Sequence, residues 1–195
     1  MLFLFSKDLN YATSIYYGVL MKGYNWIEWQ FYPNSTVIPK KLADVVSVFV
    51  NNQQKIATRT NHTLSSNQIL DLIMADLMQL GFTVEAGKLA KDRIRVPVLF
   101  GKNGIPAKSF DVDAYDTIDK IVVEVEAGRG VTNYQFLKDF FEALVMIDVE
   151  YLVIAVRKVY RGGHKDFETV TKFFDILYSS RRFIPAFKGL LIIGY

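Results

Sequence analysis

The stretch Phe110–Gly128, FDVDAYDTIDKIVVEVEAG, constrains this chain more than any other. It reads as a β-hairpin with arms Phe110–Tyr115 and Lys120–Ala127. Asp116, Thr117, Ile118 and Asp119 suit a four-residue loop between them. Strand side chains alternate between faces. With Tyr115 opposite Lys120, Asp111 falls opposite Glu124. Asp111, Asp113, Glu124 and Glu126 then share one face, and Val112, Val123 and Val125 point to the other. Like charges directly opposite one another destabilise a sheet. Carboxylates gathered in this way need a proton or a cation, and Mg²⁺, which prefers carboxylate and water oxygens, suits them. The alternative is a solvated strand face that is merely acidic. Against it stand the apolar second arm, KIVVEVE, and the amphipathic helix that follows, as in a sheet covered on its face.

Composition narrows the classes. Of the 195 residues, 51% are hydrophobic and 14% aromatic, enough for a real core and too many for a disordered chain. The net charge of +3 names no partner by itself, so nucleic-acid binding requires local clustering of cations. The absence of cysteine excludes disulfides, thiolate zinc sites and cysteine nucleophiles. The start MLFLFSKD lacks a basic leader, and no uncharged apolar run approaches the ~18 residues of a membrane span. A cytoplasmic protein without a membrane segment is expected.

Along the chain, Leu9–Leu20 suits strand or helix equally. Asn25–Phe31 alternates as a strand, and Pro33-Asn34-Ser35 is a turn. Pro39 suits the first turn of a helix over 39–57, with Leu42, Val45, Val46 and Phe49 inward. Ser65 and Gln68 form a capping-box pattern ahead of a helix that Gly81 stops. Short strands at Phe82–Glu85 and Arg95–Phe100 precede the acidic hairpin. Thr132 and Gln135 repeat the capping-box pattern, opening a helix to about Ile147. Its expected buried stripe is Leu137, Phe140, Phe141 and Leu144, with Lys138, Asp139 and Glu142 outside. Glu150–Val156 is a nearly continuous apolar strand, Phe167–Tyr178 a helix, and Leu190–Ile193 a last strand. The expected class is α/β, a mixed sheet sandwiched by helices.

The order from Ser65 to Val156, α-β-β-β-α-β with an acidic residue on the second strand and a Glu-x-acceptor pair on the third, resembles the PD-(D/E)xK nuclease superfamily. Residues 65–156 would form the nuclease-like core of a single domain, 1–60 an N-terminal addition, and 157–195 a C-terminal helix and strand. The resemblance implies phosphodiester hydrolysis. Asp111 and Glu124 would be metal ligands, with Asp113 the rival of Asp111, and Mg²⁺ would lower the pKa of a bound water. Mn²⁺ would substitute for it. Glu126 stands where the family usually has Lys, a departure similar to type II restriction endonucleases of the BamHI and BglII kind. Phe110 stands where a Pro is usual. Glu126 would orient or deprotonate the water or bind a second ion, and the substitution leaves either a variant active site or a silent one. Glu85 reads as an exposed strand end or as a further carboxylate.

His62 and His164 have no cysteine or acidic cluster near them in sequence and do not make a zinc site. Basic groups lie at Lys88, Lys91, Arg93 and Arg95, at Arg157, Lys158, Arg161 and Lys165, and at Arg181–Arg182. They read as solvated loops or as contacts to DNA phosphates. The expected function is a Mg²⁺-dependent endonuclease on double-stranded DNA. It would be a homodimer, since cutting two strands with one-site subunits favours a two-fold pair. The rivals are a silent DNA-binding module on the same scaffold and an interaction protein whose acidic face is incidental.

Overall fold

The computed structural model describes residues 26–195 apart from 59–61, 88, 90, 129, 132, 161, 162, 181 and 184. The segment Leu9–Leu20 and residues Lys88, Thr132, Arg161 and Arg181 lie outside the described residues. Strand β1 (Glu28–Tyr32) leads to helix α1 (Lys40–Ile56). Leu42, Val45, Val46 and Phe49 are buried along one side of α1, as their helical spacing requires. Helix α2 (Ser66–Gln79) opens on the expected capping box. The Gln68 N–H donates to Ser65 Oγ at 3.3 Å, and the Ser65 N–H donates to Gln68 Oε1 at 2.8 Å. Gly81, at φ +97°, ends that helix.

The chain continues as β2 (Thr83–Val84), β3 (Ile94–Phe100), β4 (Pro106–Val112), β5 (Ala114–Asp116) and β6 (Ile121–Glu126). Helix α3 (Gln135–Val145), strand β7 (Tyr151–Val156), helix α4 (Asp166–Ser179) and strand β8 (Gly189–Gly194) complete it. Six strands form one mixed sheet in the order β1-β8-β7-β6-β5-β2. β6, β7 and β8 run parallel in its middle, whereas β1, β5 and β2 are antiparallel to their neighbours. Every residue of β8 is buried, as expected where helices cover both faces. One face, with Val123, Val125, Val153 and Leu191, packs on α1 and α2. The other, with Val122, Leu152, Ile154 and Ile192, packs on Phe136 and Phe140 of α3 and Val170 and Phe174 of α4. The order α-β-β-β-α-β is present as α2, β2, β5, β6, α3 and β7, with β3 and β4 inserted as a separate two-stranded ribbon.

The acidic hairpin differs from expectation in two ways. Its first arm is broken at Asp113. β4 pairs with β3 in the ribbon, and only β5 pairs with β6. The turn also closes on Asp116 opposite Ile121 rather than Tyr115 opposite Lys120. Asp116 causes the shift. Its Oδ1 accepts from the N–H groups of Ile118 at 2.9 Å and Asp119 at 3.1 Å, an Asx-type turn, and Lys120 takes φ +57°. Lys41 of α1 reaches across to Asp116 Oδ2 at 2.8 Å. Burial alone would raise the Asp116 pKa, but Lys41 and the two N–H donors hold it below the usual range.

Helix α3 starts at Gln135 behind Tyr134, which has a left-handed backbone and no side-chain cap, so the expected capping box does not set its start. Its buried stripe is Phe136, Asp139, Phe140 and Ala143, whereas Phe141 is 57% exposed. The apolar face is therefore turned from the expected one, and it takes Asp139 inside. Phe140 sits against the rings of Phe174 and Phe187, with centroids 5.0 and 5.5 Å away. Aromatic packing against α4 thus decides which side of α3 faces the sheet.

Candidate carboxylate site

Because side chains alternate along β6, Glu124 and Glu126 point to the face that α3 covers, while Val123 and Val125 enter the core beneath α1 and α2. The observed register pairs Ala114 with Val123. The next step along it sets Asp113, not Asp111, opposite Glu124. Asp113 also ends the local ladder, because its Oδ2 accepts the Val125 N–H at 2.7 Å. On its other side the Asp113 carbonyl accepts the Glu85 N–H at 2.8 Å. Glu85, Asp113 and Glu124 thus lie in a row across β2, β5 and β6.

The end of β6 is pinned from two directions. The Glu126 carbonyl accepts the Tyr195 hydroxyl at 2.9 Å, and the Ala127 N–H donates to Ser66 Oγ at 3.0 Å. A Cβ at Gly130 would lie 3.3 Å from Glu126 Cβ and 3.6 Å from Val156 Cγ1. Glycine there lets the chain pass close over β6, and the Gly130 carbonyl accepts the Phe136 N–H at 3.2 Å. This approach brings the first turns of α3, and with them Asp139, down onto Glu126.

Asp139 is 5% exposed. Its Oδ1 accepts from Gln135 Nε2 at 3.1 Å and lies 3.7 Å from the Lys138 ammonium. Its Oδ2 is buried and finds no donor while Glu126 is a carboxylate. A protonated Glu126 supplies that donor, which favours the proton on Glu126 and the charge on Asp139. Burial, then the charges of Asp139 and Asp113, push Glu126 up to about 8. Burial is the largest cause at each of the others. It raises Asp113 to about 6, with Glu85 and Asp139 adding to it and the Val125 N–H opposing. It raises Asp139 to about 6 against the pull of Lys138 and Gln135. Glu124 is raised well above the carboxylate range, helped by Asp113, Asp139 and Glu126. Lys138 opposes the shift at all four. It is bonded to Glu142 at 3.0 Å, and that bond, with Asp139 and Glu142 beside it, raises its own pKa although burial would lower it. Glu85 is raised more mildly, by burial and the charges of Asp111 and Asp92, against Arg93.

Asp111 is not one of this group. It lies on the outer side of the ribbon, its Oδ2 2.7 Å from Arg93 and its Oδ1 3.5 Å from Arg95. The shift in register put Asp113 in its place. Arg157, expected among the phosphate contacts, is 3% exposed. Its guanidinium donates to the carbonyls of His62, at 2.7 Å, and Leu64, so it serves the fold. Lys158 pairs with Glu28, and Lys165 pairs with Glu168 at 2.8 Å. Lys91 and Arg93 are exposed, while Lys88 and Arg161 fall outside the described residues. Asp139, Gln135 and Lys138 escaped the sequence reading. Spacing held the signal, because Asp139 falls inside the turn that Phe136, Phe140 and Ala143 define.

The donor set is entirely oxygen, partly buried and short of positive charge, with one orphaned carboxylate oxygen, so it fits a hard divalent cation. Among the described residues no three Asp, Glu or His side chains converge closely enough to hold an ion as they stand.

No protein-family model matches the chain, and no curated protein matches it in sequence. Among solved structures it is similar to the restriction endonuclease BGLII complexed with a DNA 16-mer. The identity is 12% and the TM-score 0.49, over 86% of this chain and 75% of that one. A likeness of that size carries nothing about activity. Among the described residues no helix is long and apolar enough to cross a membrane.

Proposed function

We propose that this protein is a Mg²⁺-dependent endonuclease of the restriction-enzyme kind. It hydrolyses phosphodiester bonds in double-stranded DNA and acts in the cytoplasm as a homodimer, one site for each strand. The observation that carries this reading is the grouping of Asp113, Glu124, Glu126 and Asp139 beside one another, with every carboxyl holding its proton too tightly. Such strain is relieved by a cation, and perturbed titration of this kind gathers where chemistry is done.

Asp113 and Glu124 would hold Mg²⁺, or Mn²⁺ in its place, with Glu85 as an outer carboxylate. Bound there, the ion would polarise a phosphate oxygen and make water a better nucleophile. The remaining work falls to the chain's own side chains. The charge of a bound cation would favour the ionised form of Glu126, which burial and its acidic neighbours otherwise keep protonated, and so ionised it would take a proton from the attacking water. Asp139, oriented by Gln135, accepts the hydrogen bond that the protonated Glu126 then donates. Lys138 takes the part of the cation missing from position 126 and offsets charge on the phosphate. Lys91, Arg93, Lys158 and Lys165 position the DNA backbone.

Plasmid cleavage with Mg²⁺, wild type against Glu124→Ala, tests the reading. Cleavage should fall by more than about a hundredfold, an effect typical of losing a metal ligand or its support. Equal cutting by the two proteins would refute the site. Salt-sensitive DNA binding with no cutting in Mg²⁺ or Mn²⁺ would select the silent binding module instead.

A further inference from the structure

The inserted ribbon of β3 and β4 is the one part of the described fold that neither helical layer of the sandwich explains. Its strands pair only with each other, from Ile94 opposite Val112 to Phe100 opposite Pro106, with the register shifting between Pro97 and Leu99 and again between Leu99 and Phe100. Its inner side is anchored, with Val96 and Val112 buried and the Ile147 N–H donating to the Pro97 carbonyl at 2.9 Å. Its outer side and tip are open. Leu99, Phe100 and Ile105 near the tip are exposed, and an open groove of about 310 Å³ is lined by Arg95, Pro106, Ala107, Lys108, Ser109 and Asp111.

Charge on this ribbon is one-sided. Together with the three residues that lead into it, the ribbon (91–112) carries Lys91, Arg93, Arg95, Lys102 and Lys108 against Asp92 and Asp111. That is +3, the formal net charge of the whole protein, so the rest of the chain sums to zero. Asp111 is shared between Arg93 and Arg95. Lys102 and Lys108 have no carboxylate partner among the described residues. The Lys108 ammonium lies 5.3 Å from the centre of the Phe110 ring. At ~3.3 Å per residue a seven-residue strand spans about 23 Å. That length carries cations from Arg95 at the root to Lys102 at the tip, enough to reach phosphates on both sides of a major groove roughly 12 Å wide.

We propose that the β3–β4 ribbon is the arm with which this protein grips double-stranded DNA, Lys102 and Lys108 lying against the phosphates. The proposal rests on the nuclease reading above and deepens it. β4 runs through Asp113 into β5, so the arm is rooted at the candidate site, and a duplex held by it passes the carboxylates. A two-stranded ribbon is one of the few elements that a major groove admits.

The test is fluorescence anisotropy of the full chain with a labelled duplex of about 20 base pairs in EDTA across a salt series, since each phosphate contact adds ~0.9 to the salt slope. Lys102→Gln/Lys108→Gln should reduce that slope by ~1.8 and weaken binding about 60-fold at ~0.1 M salt. Lys172→Gln, an exposed change on α4, should bind like wild type. Wild-type slope and affinity in the double variant overturn the ribbon proposal and leave the nuclease reading standing. A change in oligomeric state with unchanged DNA binding overturns it in favour of a second copy of the chain as the ribbon's partner. Failure of the wild type to bind DNA overturns both.

Discussion

Replacing Glu126 by Gln should stabilise the metal-free protein at neutral pH. Glu126 titrates near 8 in the fold against an ordinary 4.5, chiefly because it is buried and then because Asp139 and Asp113 lie beside it. Between those values the folded state holds a proton that the unfolded chain has released. Stability is therefore full below 4.5 and declines as pH rises towards 8. At about 1.4 kcal/mol per unit, an isolated group would cost ~3 kcal/mol by pH ~7. The proton is shared with Glu124 and Asp139 and the group is partly solvated, which reduces the figure to ~1–2 kcal/mol. Gln is neutral at every pH and escapes this decline. In EDTA, urea unfolding followed by far-UV circular dichroism should show Glu126→Gln more stable by that amount at pH ~7 and equal to wild type near pH ~4. Mg²⁺ should narrow the difference, because the wild type gains more from a cation. Parallel stability–pH curves for the two proteins, or a variant weaker than wild type at pH ~7, would refute the claim that these carboxylates strain one another.

Asp113→Asn should abolish Mg²⁺ binding measured by calorimetry, whereas Asp111→Asn should leave it within about twofold, since Asp111 is occupied by two arginines on the ribbon. The reverse result would restore the register expected from the sequence. Arg157→Met should cost about 2–4 kcal/mol in urea unfolding and reduce DNA binding only through lost stability, because it strips donors from two backbone carbonyls. A folded Arg157→Met protein of unchanged stability that no longer binds DNA would return Arg157 to the phosphate contacts.

Local rules made the elements legible. The capping box at Ser65, the buried spacing in Lys40–Ile56 and the unbroken apolar runs of Tyr151–Val156 and Gly189–Gly194 each depend on neighbours within a turn or a strand, so sequence alone determined them. The gathering of acids near Glu124 was legible for the same reason, since period two places Glu124 and Glu126 on one face wherever the strand sits. Which acid meets Glu124 was not. The choice between Asp111 and Asp113 turned on Asp116 being captured by Lys41 from a helix some seventy residues earlier, an interaction that hairpin patterning does not contain. Asp139 and Arg157 were misread for a related reason. A charged side chain is assigned to solvent unless its partners are known, and their partners come from the end of β6 and from the carbonyls of His62 and Leu64. Periodicity gives a residue its face. Only packing between distant segments decides whether that face meets water, a carboxylate or a backbone carbonyl.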